Sequence, residues 1–174
     1  MGLDIYFSRV NKLDYSLNKK TAINDKIAIG YFRKVNCLLP HFGYENNCEI
    51  LEIEKSQIED LVYKAKELLA LYDTISYQLH LQNIEVNYYK EIYKDNQEMC
   101  NEKCKPFLEK IDDIWKSFEE VAEQKLPTTS GCFFGSQEYR DWYVSDLEEI
   151  VAVFEIVLDE TDFDVEQVLM YCWW

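Results

Sequence analysis

The sequence predicts an α+β fold, with four or five helices packed on a small, mainly antiparallel sheet formed by the N- and C-terminal strands. Three observations predict it. Leu3 to Val10 alternates Leu3, Ile5 and Phe7 against Asp4, Tyr6 and Ser8, the period of a half-buried strand. Val165 to Trp174 is a strand-like run too apolar for a solvent-facing tail, so it is expected to pair with the first strand, and its truncation to destabilise the fold. Between them lie two regular helical stripes, Phe107, Leu108, Ile111, Ile114, Trp115, Phe118, Val121 and Ala122, then Tyr139, Trp142, Tyr143, Leu147, Ile150, Val151, Phe154 and Val157. A chain of 174 residues predicts one globular domain over 1–174 with a core that needs no staples.

The remaining elements follow in order. Asn11 to Lys20 is polar without a clear period and reads as a loop. From about Asn24 a helix is expected, with Ile27, Tyr31, Val35 and Leu38 on one side and Pro40 ending it. Gly30 within it marks close packing or the approach of a ligand. Cys48 to Ile53 is a short candidate strand. Ser56 and Glu59 have the spacing of a capping box, and Ile58, Leu61, Val62, Ala65, Leu68, Leu69 and Tyr72 continue a helical stripe. From Thr74 to Asn101 the stripe weakens and tyrosines crowd, which predicts helix with a break near Gln82 and Asn83. Pro106 suits the first position of the next helix, to about Lys125, and a last helix is expected from about Gln137 to Leu158. Asp159 to Asp164 reads as an acidic turn, because the EF-hand spacing fails.

A net charge of −15 disfavours general binding to nucleic acid or anionic membrane, since the long-range field repels both. The charge is unevenly spread. Residues 1–44 carry seven basic groups (Arg9, Lys12, Lys19, Lys20, Lys26, Arg33, Lys34) against three acids, whereas residues 135–174 carry eleven acids against Arg140 alone. No apolar run is long enough to span a bilayer, and the opening Met-Gly-Leu-Asp-Ile-Tyr lacks the blocks of a signal peptide. Tyr6 stands where a myristoylation motif wants Ser or Thr. These features predict a cytoplasmic protein whose six cysteines are reduced. Cys100 and Cys104 lie one helical turn apart, but with no His nearby and no second pair they read as ordinary thiols, and no metal or cofactor is expected. His41 has no identifiable catalytic partner.

The stretch from Leu126 to Ser136, Leu-Pro-Thr-Thr-Ser-Gly-Cys-Phe-Phe-Gly-Ser, separates the two regular stripes. Pro127 blocks continuation of the first helix, and Gly131 and Gly135 permit backbone angles other residues resist. Ser136 is a candidate N-cap for the following helix, whose free amides and positive dipole end suit an anion. Thr128, Thr129 and Ser130 would add hydroxyls. The stretch does not match the phosphate-loop signature. Two readings are open: an anion cradle, or a connecting loop whose Phe133 and Phe134 plug the core. Arg33, Lys34 and Asn36 form the densest set of donors in the chain, with Arg33 able to clamp a phosphate or carboxylate bidentately and Lys34 adding a point charge. They too can be read as a solvated face.

Three stretches together, Met1-Gly-Leu-Asp-Ile-Tyr6, Gly30-Tyr-Phe-Arg-Lys-Val-Asn36, and Pro127 to Gly135 followed by an aromatic and acidic helix, resemble a family of small, uncharacterised bacteriophage and prophage proteins. The resemblance covers both ends and the central turn, not about Thr74 to Lys105. It brings no activity with it; what it implies is an accessory phage product acting in the host cytoplasm. Two functions are expected from different classes. One is a non-enzymatic protein, suited to counter-defence, that binds a small anionic, nucleotide-like ligand between Arg33, Lys34, Asn36 and the Thr128, Thr129, Ser130, Gly131, Ser136 turn. The alternative is an acidic protein-interaction inhibitor that uses helix 137–166 to occupy a basic surface of a host protein. An enzyme is the third reading, since no nucleophile–base pair or cofactor motif is recognisable. Neither direct nucleic-acid binding nor a membrane is expected, and an oligomer is open.

Overall fold

A computed structural model describes residues 2–131 and 134–174. Its elements run β1 (Asp4–Asn11), α1 (Lys12–Leu17), α2 (Lys19–Asn24), β2 (Ile27–Arg33), α3 (Leu38–Phe42), β3 (Ile50–Ile53), α4 (Lys55–Ile92), α5 (Gln97–Lys125), α6 (Asp141–Glu160) and β4 (Glu166–Trp173). The strands form one antiparallel sheet in the order β2-β1-β4-β3. The two ends of the chain pair at its centre, from Asp4↔Trp173 to Asn11↔Glu166, as the alternation of Leu3 to Val10 and the apolar run at the end predict. The fold is the expected α+β class, with six helices among the described residues rather than four or five.

Alternation sorts the strand side chains onto two faces. Ile5 and Phe7 of β1 and Val168, Met170 and Cys172 of β4 point into the main core and are almost fully buried. α6 crosses this inner face, α4 packs on α6, and α5 packs on α4. Phe154 of α6 is the pivot of the core: its ring centroid lies 4.9 Å from Phe7, 5.5 Å from Phe32 and 6.1 Å from Phe42. On the opposite face, Val10 and Leu169 are covered by Tyr15 and Ala22 of the α1–α2 hairpin. The rest of that face is open.

The main correction concerns residues 24–40. The expected helix there is a strand, β2, paired with β1 from Asp4↔Arg33 to Arg9↔Ile27 with a bulge between Phe7 and Ser8. A spacing of four, as from Ile27 to Tyr31 to Val35, places residues on one side of a helix but equally on one face of a strand, because four is an even number. The open edge of β1 decides between them. Gly30 lets β2 approach α6: a Cβ there would lie 3.1 Å from Val153 Cγ1.

Other boundaries move for local reasons. The expected loop from Asn11 to Lys20 holds α1 and the start of α2: Asn11 accepts from the amides of Leu13 and Asp14 and Asn18 from that of Thr21, so each asparagine caps a short helix. The capping box that opens α4 is Glu54–Gln57, two residues before the expected Ser56–Glu59. α4 continues without a break at Gln82–Asn83, and the chain turns at Tyr93 to Asn96 instead. Pro106 lies inside α5, not at its start; Asn96 caps that helix through the Met99 amide. Cys100, Cys104 and Phe107 face α4 across this point, and their burial holds the helix together through the missing proline donor. Of the expected acidic turn, Asp159 and Glu160 end α6 instead, and the turn itself follows Thr161, with Asp162 accepting from the amides of Asp164, Val165 and Glu166.

Phe154→Ala should destabilise the protein by about 3–5 kcal/mol, since three rings close on its fully buried side chain. Urea unfolding followed by far-UV circular dichroism gives the value.

Candidate functional site

β2 ends at Arg33, and the chain then turns sharply. Lys34 has φ 65°, a left-handed conformation that costs a non-glycine residue about 1–2 kcal/mol. Its amide donates to Leu3 O at 2.9 Å, which fixes the turn against β1. Gly2 is buried here, and a Cβ on it would lie 3.6 Å from Arg33 Nε and 3.7 Å from Lys34 Cε. The stems of both cations therefore rest on the start of the chain. Arg33 Nε is 4.0 Å from Asp4 Oδ1, which also accepts from the Tyr31 hydroxyl at 2.6 Å. That carboxylate holds Arg33 loosely and leaves its guanidinium largely in solvent.

The turn after α5 comes to meet this corner. Asn36 is buried, and its Nδ2 donates to the carbonyls of Phe134 at 3.2 Å and Ser136 at 2.9 Å. Gly135 has φ 92°, and a Cβ there would meet Lys34 Cβ at 3.1 Å, so this glycine is required both by its backbone angle and by the approach of Lys34. Phe134 fills the space behind, edge-on to Trp174 at 5.3 Å. It plugs the core as the connecting-loop reading expects; Phe133 and Cys132 fall outside the described residues.

The result is a cleft of about 410 Å³ lined by Arg33, Lys34, Thr128, Gly135, Ser136, Glu138, Trp142, Tyr143 and Asp146. The structure brings together Arg33, Lys34, Thr128 and Ser136, which sequence reasoning put in one site. It does not bring in the others. Asn36 stands behind the wall as the tether, while Thr129, Ser130 and Gly131 are not among the lining residues. Gly131 is instead held against the Phe134 ring, where a Cβ would come within 2.6 Å. Ser136 is not the cap of α6 either. That helix begins at Asp141 behind Arg140, and the Ser136 hydroxyl accepts from the Glu138 amide at 3.1 Å. Four extended or bent residues after Ser136 carry the chain to the helix, so the free amides of α6 do not open directly on the glycine turn. The Thr128 amide donates to the Tyr139 hydroxyl at 3.0 Å, fixing the near wall.

Sequence reasoning missed the α6 side of the cleft. Trp142 is 80% exposed although it falls within the apolar stripe, and Asp146 lies one turn further on. Burial, reinforced by the charge of Glu149, raises the Asp146 carboxyl from its ordinary value to about 7. The neighbouring Cys37 thiol and Tyr143 phenol are pushed up by burial and stay neutral, the phenol donating to Leu126 O at 2.7 Å. Near neutrality Asp146 is therefore divided between a carboxylate and a carboxylic acid, which can donate to an anionic oxygen. A charged residue between Tyr143 and Leu147 in an otherwise apolar stripe was the available signal.

The other singled-out groups lie elsewhere. His41 Nε2 bonds with Gln57 O at 2.9 Å, and burial lowers its pKa, so it joins α3 to the first turn of α4. Cys100 and Cys104 face each other at 3.9 Å inside the α4–α5 hairpin. A larger hollow of about 790 Å³ lies on the open face of the sheet, lined by Tyr6, Tyr31, Tyr171, Trp173 and Lys26 among others. It offers mainly aromatic surface, with Lys26 as its one lining cation and no lining carboxylate, so the Arg33–Lys34 cleft, where charges of both signs converge, is the better candidate for specific recognition.

The fold is α+β, and the cleft has Arg33 and Lys34 at its rim and the carboxyl of Asp146 on one wall. No family model, curated protein or solved structure matches the chain. No helix among the described residues is long and apolar enough to cross a membrane.

Asn36→Ala should cost about 1–3 kcal/mol, because two carbonyls lose their donor inside the fold. Thermal unfolding measures it, and increased proteolytic nicking within 127–140 would report the freed turn. For Asp146 the sign follows from its raised pKa: the native state holds a proton that the unfolded chain gives up near pH 3.8, so stability falls as pH rises through the window up to about 7. Asp146→Asn removes that penalty. Discounted for partial exposure, its Tm should exceed that of the wild type by about 2–4 °C at about pH 8.5, the gap closing towards about pH 5 in paired melting curves.

Proposed function

We propose that this is a non-enzymatic protein that binds a small anionic, nucleotide-like ligand in the cleft between the end of β2 and the start of α6. One observation carries the reading: Arg33 and Lys34, held by a left-handed turn, share a 410 Å³ cleft with the hydroxyl-bearing Thr128 and Ser136. Arg33 supplies a planar fork for a phosphate or carboxylate and Lys34 a second charge. Trp142, exposed at the rim, offers a face for a planar base. Glu138 and the ionised fraction of Asp146 oppose a bare polyanion, so the fitting ligand has donor groups as well as an anionic end, as a nucleotide does. The resemblance to bacteriophage and prophage proteins supplies the context of an accessory product in an infected bacterium, where such a cleft would sequester a nucleotide-derived defence signal.

A second reading keeps the acidic last helix as an interaction surface. α6 buries Tyr143, Leu147, Ile150 and Phe154 and leaves Glu148, Glu149, Glu155 and Asp159 outside, with Ile156 exposed beside them. A basic host surface would match that stripe, although Glu155 is already paired with Lys66.

Native mass spectrometry before and after incubation with a small-molecule extract of bacterial cells separates the two. The wild type should gain a discrete mass that Arg33→Ala and Lys34→Ala lose, with binding weakened by at least about tenfold for each cation removed. Charge reversal at Glu148 and Asp159 should leave that mass gain intact. No gain in the wild type would reject tight ligand binding and direct attention to partners of the α6 stripe.

A further inference from the structure

α4 is 38 residues long, and only its first part lies on the body of the protein. Its outer part forms an antiparallel hairpin with α5, whose interior is a separate small core of Val86, Cys100 and Cys104 with Tyr89, Tyr93 and Phe107 around it. All of these residues come from the hairpin itself. On the other side of α4, Tyr77, Leu81, Ile84, Tyr88 and Ile92 are 67%, 41%, 49%, 58% and 50% exposed. At 3.6 residues per turn the five fall within an arc of about 80°, facing away from Leu79 and Val86, and extend for about 22 Å along the helix. This stripe blurs the sequence pattern beyond Thr74, because the helix is apolar on two sides at once.

Three features say what covers it. The first is charge. The chain has 33 acidic and 18 basic residues, yet Glu85 is the only Asp, Glu, Lys or Arg between Thr74 and Tyr89. Loss of charge together with enrichment in tyrosine and aliphatic side chains is the signature of an interface centre. The second is symmetry. Relative to Ile84 the stripe sits at −7, −3, 0, +4 and +8, so turning a second α4 end to end brings Tyr77 opposite Ile92, Leu81 opposite Tyr88, and Ile84 near its own copy. A surface complementary to itself under a two-fold rotation is what an isologous dimer requires. The third is area. The five side chains and their Gln, Asn and His neighbours would bury on the order of 1,200 Å² in total over both copies, the lower bound for a stable interface.

We propose that the outer hairpin is a dimerisation arm that pairs with the same arm of a second copy, α4 against α4 in antiparallel fashion about a two-fold axis near Ile84. The two arms then form a four-helix arrangement with the stripe in its interior. Glu85 lies beside the axis and each copy carries a net charge of −15, so repulsion opposes the contact and salt screens it.

Sedimentation equilibrium of the full chain over about 1–200 µM is the test. A reversible dimer is expected, tightening as sodium chloride rises from about 0.05 to 0.5 M. Ile84→Glu should weaken it by at least about 30-fold, because the substitution is counted twice at a two-fold axis, with the circular dichroism spectrum unchanged. In a Cys48→Ser, Cys132→Ser background, Ile84→Cys should form an intermolecular disulfide on mild oxidation. Tyr77→Cys should cross-link to Ile92→Cys in mixtures, and not to itself. A monomer across the whole range would overturn the proposal. So would a dimer indifferent to Ile84→Glu, which would point to the aromatic face of the sheet, or cross-linking of Tyr77→Cys to itself, which would exclude the antiparallel pairing.

Discussion

Eight consecutive residue pairs, Asp4↔Trp173 through Asn11↔Glu166, join the two ends of the chain at the centre of the sheet, and that ladder is what unites the β1–β2 and β3–β4 pairs into one sheet. The inward side chains of the same ladder, Ile5, Phe7, Val168, Met170 and Cys172, are the floor on which Phe154 and the rest of α6 rest. Closing a loop of this length costs chain entropy before any contact rewards it. The burial of two nearly continuous apolar faces offsets that cost, and the long α4–α5 hairpin, whose contacts are local, can form independently of it.

The cleft depends on the same ladder at one remove. β2 is positioned by β1, its exit at Lys34 is held by Leu3 O, and Asn36 reaches from that exit to the backbone of Phe134 and Ser136. Basic residues from the first quarter of the chain thus meet hydroxyls and two acids, Glu138 and Asp146, from the last third. The charge asymmetry of the sequence becomes a local juxtaposition rather than two separate poles. Asp146 owes its raised pKa first to burial and then to the charge of Glu149 on the same helix.

The two proposed recognition surfaces have different physical characters. The cleft is built by long-range contacts and concentrates charge, hydroxyl groups and an exposed indole. The outer arm is built by two helices packing on each other and is depleted of charge on its free side. One is suited to a small polar ligand, the other to a surface like itself.

By itself the sequence determined the α+β class, the pairing of the terminal strands, the amphipathic cores of α5 and α6, the turn at Pro127 and the chemical character of Arg33 and Lys34. Each is carried by a local period, a breaker residue or a side chain whose properties do not depend on neighbours. Tertiary structure decided the rest. Residues 27–33 became a strand because β1 had an open edge, and a four-residue spacing could not distinguish the two periods. Asn36 became a tether and Ser136 a wall residue because the 127–136 turn docks on the β2 exit. Thr129, Ser130 and Gly131, although adjacent in sequence to Thr128, are carried away from the cleft by the same turn. Trp142 and Asp146 entered the cleft through the rotation of α6 on the sheet, which packing against Phe7, Phe32 and α4 sets and no stretch of sequence records.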